Sequence, residues 1–434
     1  MGTTSSSQAK GGPAHNPARP LIAFFDYADV FEDFYPHYGV NQQQFATTWA
    51  ATGNHAWISL IQQHVGSVIW YETSLAPAVD ESRHEATGAL VKVLRSGWLH
   101  RSLWKMFYLP RNAWRWRGAY RPFAVVASYL APLSLSLWRA VRRDHPDCLF
   151  AQSYSSGRFD VLLAMSWFLG IPFLTYHAGG EPQGYLGVAF RKYTLRRATR
   201  IIVSSTNEGD MLRREYQVPE DKIRMILTPI DTDTFAPLER KAACRAMGLD
   251  ASRRYLLFAG RMEDGMKRIS SIIRCFARIA DDFPDATLVI AGDGQDRESL
   301  IKLAVDIAPG RIHFTGWIGE VDRKALLYNC AECLILASRR EGFPTVVAEA
   351  MACGTPVLSS DVGGVSELVV EGKTGWLFSA GDDQALQAGM ALVLKHPGNL
   401  AALRTAAREA ALSKVSRHSV VKALQECFSV VAPR

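Results

Sequence analysis

The sequence predicts an α/β protein of two domains built on mostly parallel sheets, and three observations carry that expectation. Short apolar runs of strand length alternate with stretches of helical periodicity, the pattern of successive βα units. The runs fall into two series, one ending near residue 203 and one beginning near residue 254. A chain of 434 residues also exceeds what one compact core accommodates.

The elements follow in order. Residues 1–20 are rich in Gly, Ser, Ala and Pro with no apolar core segment, and are expected to form a disordered leader rather than a signal peptide. Leu21–Phe25 reads as the first strand, followed by an aromatic and acidic loop through Tyr38 and a helix over Asn41–Thr52. Further strands are expected at Val65–Tyr71, Cys148–Ala151, Pro172–Tyr176 and Arg200–Val203. Pro229 and Pro237 interrupt regular structure within Asn207–Arg240, so the domain boundary is placed there, with domains over 21–225 and 226–415. The second series comprises Tyr255–Ala259, Ala286–Ala291, Arg311–Phe314, Glu332–Ala337 and Thr355–Ser359. A basic, apolar segment, Ser416–Val431, reads as a closing helix within a terminal segment 416–434.

Composition excludes some classes and leaves others open. The formal net charge of +7 suits anionic substrates or surfaces and selects neither nucleic acid nor membrane. Cys330 and Cys333 form a C-x-x-C without a second pair nearby, so a structural zinc site is not expected, and reduced thiols fit a cytoplasmic setting. No window of uncharged apolar residues is long enough to span a bilayer. The stretch 86–143 has no Asp or Glu, carries eleven Lys and Arg, and interleaves them with Trp98, Trp104, Phe107, Tyr108, Trp114 and Trp116. Such a pattern suits contact with an anionic membrane, stacking on single-stranded nucleic acid, or an insertion packed by its own tryptophans. No nucleic-acid recognition motif accompanies it, and no nucleic-acid partner is expected.

The most informative segment is Glu341-Gly-Phe-Pro-Thr-Val-Val-Ala-Glu349, in which two carboxylates separated by seven residues bracket a turn and a small-residue helix between two apolar strands. Gly354 ends that helix. A carboxylate at Glu349 among Ala348, Ala350, Met351 and Ala352 needs a donor if buried, such as a ribose or sugar hydroxyl; otherwise it lies on a solvated face. Three glycine turns at strand ends point to an anion: Gly260-Arg261 with Lys267 downstream, Gly292-Asp-Gly294, and Gly363-Gly364, whose N–H groups suit a phosphate. His177 follows the strand at Pro172–Tyr176 and precedes Gly179-Gly180, where an imidazole can donate to a sugar hydroxyl or a developing charge.

With these residues assembled, the C-terminal half resembles the retaining glycosyltransferases of family GT4, through Glu341 and Glu349 as the E-x7-E motif, Gly260-Arg261 with Lys267, Ala291-Gly-Asp-Gly294, Gly363-Gly364 with Glu367, and Thr228-Pro-Ile-Asp231 at the usual Asn-Gly-x-Asp position. The resemblance implies the GT-B fold, two facing Rossmann-like domains with the C-terminal helix crossing back to the first. It implies that Arg261 and Lys267 hold a donor diphosphate, Glu341 the transferred sugar and Glu349 the ribose. Gly342, Phe343, Pro344 and Thr345 would add contacts around the donor. His177 would approach the donor sugar, making His177, Glu341, Arg261 and Lys267 the catalytic set. The loop after the first strand is best matched by Tyr38-Gly39-Val40-Asn41, which lacks the usual Gly-Gly pair; Gly39 is its donor-side candidate.

The implied activity is transfer of a sugar, with retention, from a nucleoside diphosphate sugar to a lipid-linked or growing glycan acceptor. No permanently bound cofactor and no metal are expected, and the implied location is the cytoplasm or the inner face of its membrane. A nucleotide-sugar epimerase or phosphorylase of the same fold, or a non-catalytic membrane-associated relative, are the alternatives.

Overall fold

β1 (Leu21–Phe25) has no polar side chain and is buried along its whole length, as a strand covered on both faces must be. The computed structural model describes residues 19–26, 28, 30–49, 53–107, 125–177, 188–396 and 400–433. In it β1 pairs in parallel with β2 (Ser67–Ser74) and with β5 (Cys148–Gln152). The first sheet continues through β3 (Glu81–Arg83), β4 (Leu90–Arg95), β6 (Phe173–Tyr176), β7 (Arg200–Val203) and β8 (Ile223–Met225), in the order β3-β4-β2-β1-β5-β6-β7-β8. Only β3 against β4 is antiparallel among the pairings described.

The second sheet contains β9 (Arg254–Ala259), β10 (Ala286–Ala291), β11 (Ile312–Gly316), β12 (Ala331–Leu336), β13 (Val357–Ser360) and β14 (Gly375–Phe378). It is parallel throughout, in the order β11-β10-β9-β12-β13-β14. Renumbered from its own first strand this is the 3-2-1-4-5-6 order of a doubly wound Rossmann sheet, whose chain reverses direction across the sheet between β9 and β12. Ligands bind at that switch point, outside the carboxyl ends of the strands.

Contacts group the chain into two compact units: Met1–Gln152 with Gly157–Leu174 and Cys427–Arg434, and Ser153–Ser156 with Thr175–Glu426. The core of the second unit packs β9, β10, β12 and β13 against helices that include Ile269–Ile279 and Thr345–Ala352. Ile269, Ile272, Ile273, Phe276 and Ile279 are its buried stripe on the first of these helices, at the spacing of one helix face. The closing helix, Arg417–Phe428, returns the chain to the first unit, where the Phe428 ring meets Phe150 at 5.4 Å. This matches the expected crossing helix.

Departures from the sequence reading are local. The helix expected over Asn41–Thr52 is a short one, Gln42–Thr47, opened by an Asn41 and Gln44 capping box, and a second helix, Gly53–His64, follows. β4 lies inside the acid-free stretch, so part of that stretch is sheet; Lys92 on it is buried and pairs with Asp144 at 2.8 Å. β3, β8 and β14 were not anticipated because each is short or carries polar residues. The leader expected over 1–20 falls almost entirely outside the described residues, as do Gly179-Gly180 and Tyr108–Arg121. Among the described residues no helix is long and apolar enough to cross a membrane.

Candidate active site

The switch point is built by backbone packing between turns. Gly260 follows β9, and its carbonyl lies where a Cβ on Gly292, with φ 140°, would sit at 1.9 Å; only glycine permits that approach. Gly260 N donates to Ala291 O at 3.0 Å, and Met262 N to Asp293 O at 2.8 Å. The turns after β12 and β13 interlock in the same way. A Cβ on Gly363 would lie 2.2 Å from Glu341 O, and Gly364 N donates to Gly342 O at 2.7 Å. The Gly364 N–H, expected to face a phosphate, is therefore engaged within the protein.

These turns enclose a cavity of about 760 Å³ within the second unit. Its lining comes from four strand ends: Ser204, Ser205, Asn207, Glu208 and Met211 after β7; Arg261, Glu263, Met266 and Lys267 after β9; Arg339, Arg340, Glu341 and Gly342 after β12; Val362 and Gly363 after β13. The structure thus brings Arg261, Lys267, Glu341 and Gly342 together, although they are widely spaced in the chain. Lys267 does not point to solvent: Nζ lies 2.5 Å from Glu341 Oε1, which also accepts the Ser338 hydroxyl at 2.6 Å. Arg339 N donates to Met266 O at 2.9 Å, tying the loops after β9 and β12 to each other. With Glu341 paired to Lys267, the lining sets Arg261, Arg339 and Arg340 against Glu208 and Glu263, a small excess of positive charge that suits an anion.

Glu349 occupies a different environment. It sits within the helix Thr345–Ala352, buried, and does not line the cavity. Tyr328 OH donates to its Oε2 at 2.7 Å and Lys324 Nζ lies 3.3 Å from its Oε1. Burial and the adjacent carboxylate push the Tyr328 phenol well above its ordinary range, so it remains a donor. The donor that a buried Glu349 requires is supplied by the protein itself. Pro344 is the N-cap of that helix, and Phe343 packs on the core beside Gly364.

A model described as Glycosyltransferase Family 4 matches residues 70–234, and one described as Glycosyl transferases group 1 matches residues 240–410. The chain is similar to the D-inositol 3-phosphate glycosyltransferase of Nocardiopsis dassonvillei, 27% identical over 333 residues that cover 71% of this chain and 77% of that one. The match to the enzyme of the same name from Streptomyces avermitilis is 29% identical and spans 58% of each chain. In fold it resembles Anabaena HepE in complex with UDP, with a TM-score of 0.70 over 94% of this chain and all of that one at 15% identity. Sucrose-phosphate synthase of Thermosynechococcus elongatus gives 0.69 over 95% and 99% at 20% identity. The chain is a glycosyltransferase with the GT-B fold.

His177 of this glycosyltransferase is buried immediately after β6, its ring 4.6 Å from that of Tyr154. The Tyr154 hydroxyl donates to Glu208 Oε1, and Glu208 Oε2 accepts Ser204 N at 3.0 Å. Glu208 lines the cavity, so a chain of contacts leads from its wall to the His177 ring. Burial raises the Glu208 carboxyl to about 7, against the opposing pull of the bonds from Tyr154 and Ser204.

Gly39 belongs to the first unit, where φ 70° lets it end a 3-10 turn, Tyr35–Tyr38. Sequence reasoning missed Arg339, Arg340, Tyr154, Glu208, Lys324 and Tyr328. The two arginines immediately precede Glu341 at the end of β12, a position that marks them; the others have no local signature.

The seven cysteines are buried and free. Among the described residues no group of three or more His, Cys, Asp or Glu is placed to hold a metal ion. Asp231 accepts Asp233 N at 3.2 Å and Thr234 Oγ1 at 2.9 Å, so this carboxylate closes its own turn.

Proposed function

We propose that this glycosyltransferase moves a sugar from a nucleoside diphosphate sugar to a lipid-linked or growing glycan acceptor with retention at the anomeric carbon. The observation that carries the reading is the cavity at the β9 and β12 switch point, where Arg261, Arg339 and Arg340 stand beside the Lys267 and Glu341 pair. Cleaving a sugar–phosphate bond leaves negative charge on the diphosphate and positive charge at the anomeric carbon. Cations at the first position stabilise the leaving group more in the transition state than in the ground state. Glu341, held by Lys267 and Ser338, is suited to orient hydroxyls of the transferred sugar, while Glu349, buried behind the cavity on Tyr328 and Lys324, supports the helix that follows Glu341. His177 would face the donor sugar, its ring supported by Tyr154. Retention follows if the acceptor attacks from the side the diphosphate leaves, with a diphosphate oxygen taking the acceptor proton. The complex of the structurally similar HepE with UDP supports a nucleotide donor. The protein would work in the cytoplasm at the inner membrane face, where a lipid-linked acceptor is presented.

Incubating the purified protein with UDP-, GDP- and ADP-sugars and lipid-linked acceptors, and following nucleotide release and the anomeric configuration of the product, tests this. Transfer by one donor class, lost in Glu341→Ala and Arg261→Ala, is expected. Unchanged product formation in both variants would refute the site assignment, and isomerised nucleotide sugar without acceptor would point to an epimerase.

A further inference from the structure

A belt of large apolar side chains, most of them exposed, runs over the first unit. It begins where the turn after β4 meets the turn before the helix Leu135–Asp144. These turns are stapled: Ser134 Oγ and Ser136 Oγ both donate to Arg95 O at 2.6 Å, and a Cβ on Gly97 would lie 2.7 Å from Leu133 O. Trp98 and Leu99 are thereby fixed near Leu133 and Leu135, and all four face outward, Trp98 at 72% and Leu135 at 73% exposure. The belt continues along the helix to Trp138, whose ring is 6.0 Å from that of Phe168, itself 68% exposed. Arg142 sits over the Phe168 ring at 5.9 Å, and Arg95 and Arg139 are exposed beside the apolar residues. The nearby Asp144 turns away, accepting from Lys92 at 2.8 Å and Tyr71 at 2.6 Å.

We infer that the belt formed by Trp98, Leu99, Leu133, Leu135, Trp138 and Phe168, with Arg95, Arg139 and Arg142, lies on an anionic lipid bilayer. Trp98, Leu99, Leu133, Leu135 and Phe168 are too exposed to be core, and half-buried Trp138 links them, so the exposed side chains enter the acyl boundary without requiring a complementary groove. Tryptophan at an interface places its ring at headgroup depth, and arginines snorkel to lipid phosphates. The charge is of one sign, as anionic headgroups require: the stretch 86–143 contains no acidic residue. The inference rests on the proposed lipid-linked acceptor and specifies which surface meets the membrane that presents it.

Vesicle flotation of the full chain, without donor or acceptor, tests binding separately from transfer. The protein is expected to float with vesicles of phosphatidylcholine and phosphatidylglycerol and not with phosphatidylcholine alone. The W98S/L135S/F168S variant should lower the partition by about tenfold or more. The R139E/R142E variant should lower it by about tenfold and weaken its salt dependence. Both variants should keep the wild-type melting temperature and nucleotide release with a soluble acceptor. Absence of flotation by the wild type, or unchanged flotation of the variants, overturns the inference. So does a variant that converts a dimer to a monomer in sedimentation velocity while flotation persists, since the belt would then be a protein interface.

Discussion

The ammonium of Lys267 lies 2.5 Å from Glu341 Oε1, at the point where the loops after β9 and β12 meet. Both side chains are largely buried, so removing either leaves an uncompensated charge beside the cavity rather than merely one contact fewer. Lys267→Ala and Glu341→Ala should each lower kcat/KM by roughly a hundredfold or more, and the double variant should be little worse than the weaker single. Initial rates across the four proteins check this. Effects that add would mean the two residues act independently.

The hydrogen bond from Tyr328 to Glu349 is buried, whereas Lys324 is about one-third exposed at its side chain. Tyr328→Phe should therefore cost about 1–3 kcal/mol in urea unfolding, and Lys324→Ala less than about 1 kcal/mol. A Tyr328→Phe protein as stable as the wild type would show that this bond does not hold the carboxylate.

What was legible in the sequence follows from how locally each feature is encoded. β1, β9, β10 and β13 are apolar runs bounded by turn residues, and their existence could be read directly. The turn residues Gly260, Gly292 and Gly363 were equally visible, but their purpose was not. At Gly292 and Gly363 the lack of a Cβ lets one turn pack on another's carbonyl, a relation between segments about 20 to 30 residues apart that no periodicity records. Glu341 and Lys267 were found separately by motif; their pairing depends on sheet order. Tyr154 and Glu208 lie far apart in the chain and join only through the fold. Lys324 and Tyr328 have the ordinary spacing of one helix face, indistinguishable in sequence from a surface pair.

The Gly292 turn yields a sharper test of that packing. Alanine there meets both a φ of 140° and a carbonyl 1.9 Å from the new Cβ, and the carbonyl belongs to a backbone turn that cannot swing aside as a side chain does. Gly292→Ala should destabilise the protein by roughly 3 kcal/mol or more and displace Arg261. Gly260→Ala is the control: it carries a like backbone cost, φ 155°, while its added Cβ meets only the Phe258 ring at 3.4 Å, so it should cost less, about 1–2 kcal/mol. Chemical denaturation of both distinguishes close approach from backbone conformation. Equal costs would remove the packing argument.

Glu208 makes stability depend on pH in a direction opposite to that of a salt-bridged carboxylate. Its carboxyl ionises near 7 in the folded chain against an ordinary 4.5, because burial disfavours the charge. Below 4.5 both states hold the proton. As pH rises from 4.5 to 7 the unfolded chain releases it first, so the folded state loses relative stability over that window and little more beyond it. Glu208→Gln stays neutral throughout and removes this slope. Its amide accepts from Tyr154 but places N–H against Ser204 N–H, a constant cost independent of pH. The stability of the variant relative to wild type should therefore improve by up to roughly 3 kcal/mol between those pH values. Urea unfolding at intervals across the window measures it, and parallel curves for the two proteins would place the Glu208 ionisation in the ordinary carboxylate range.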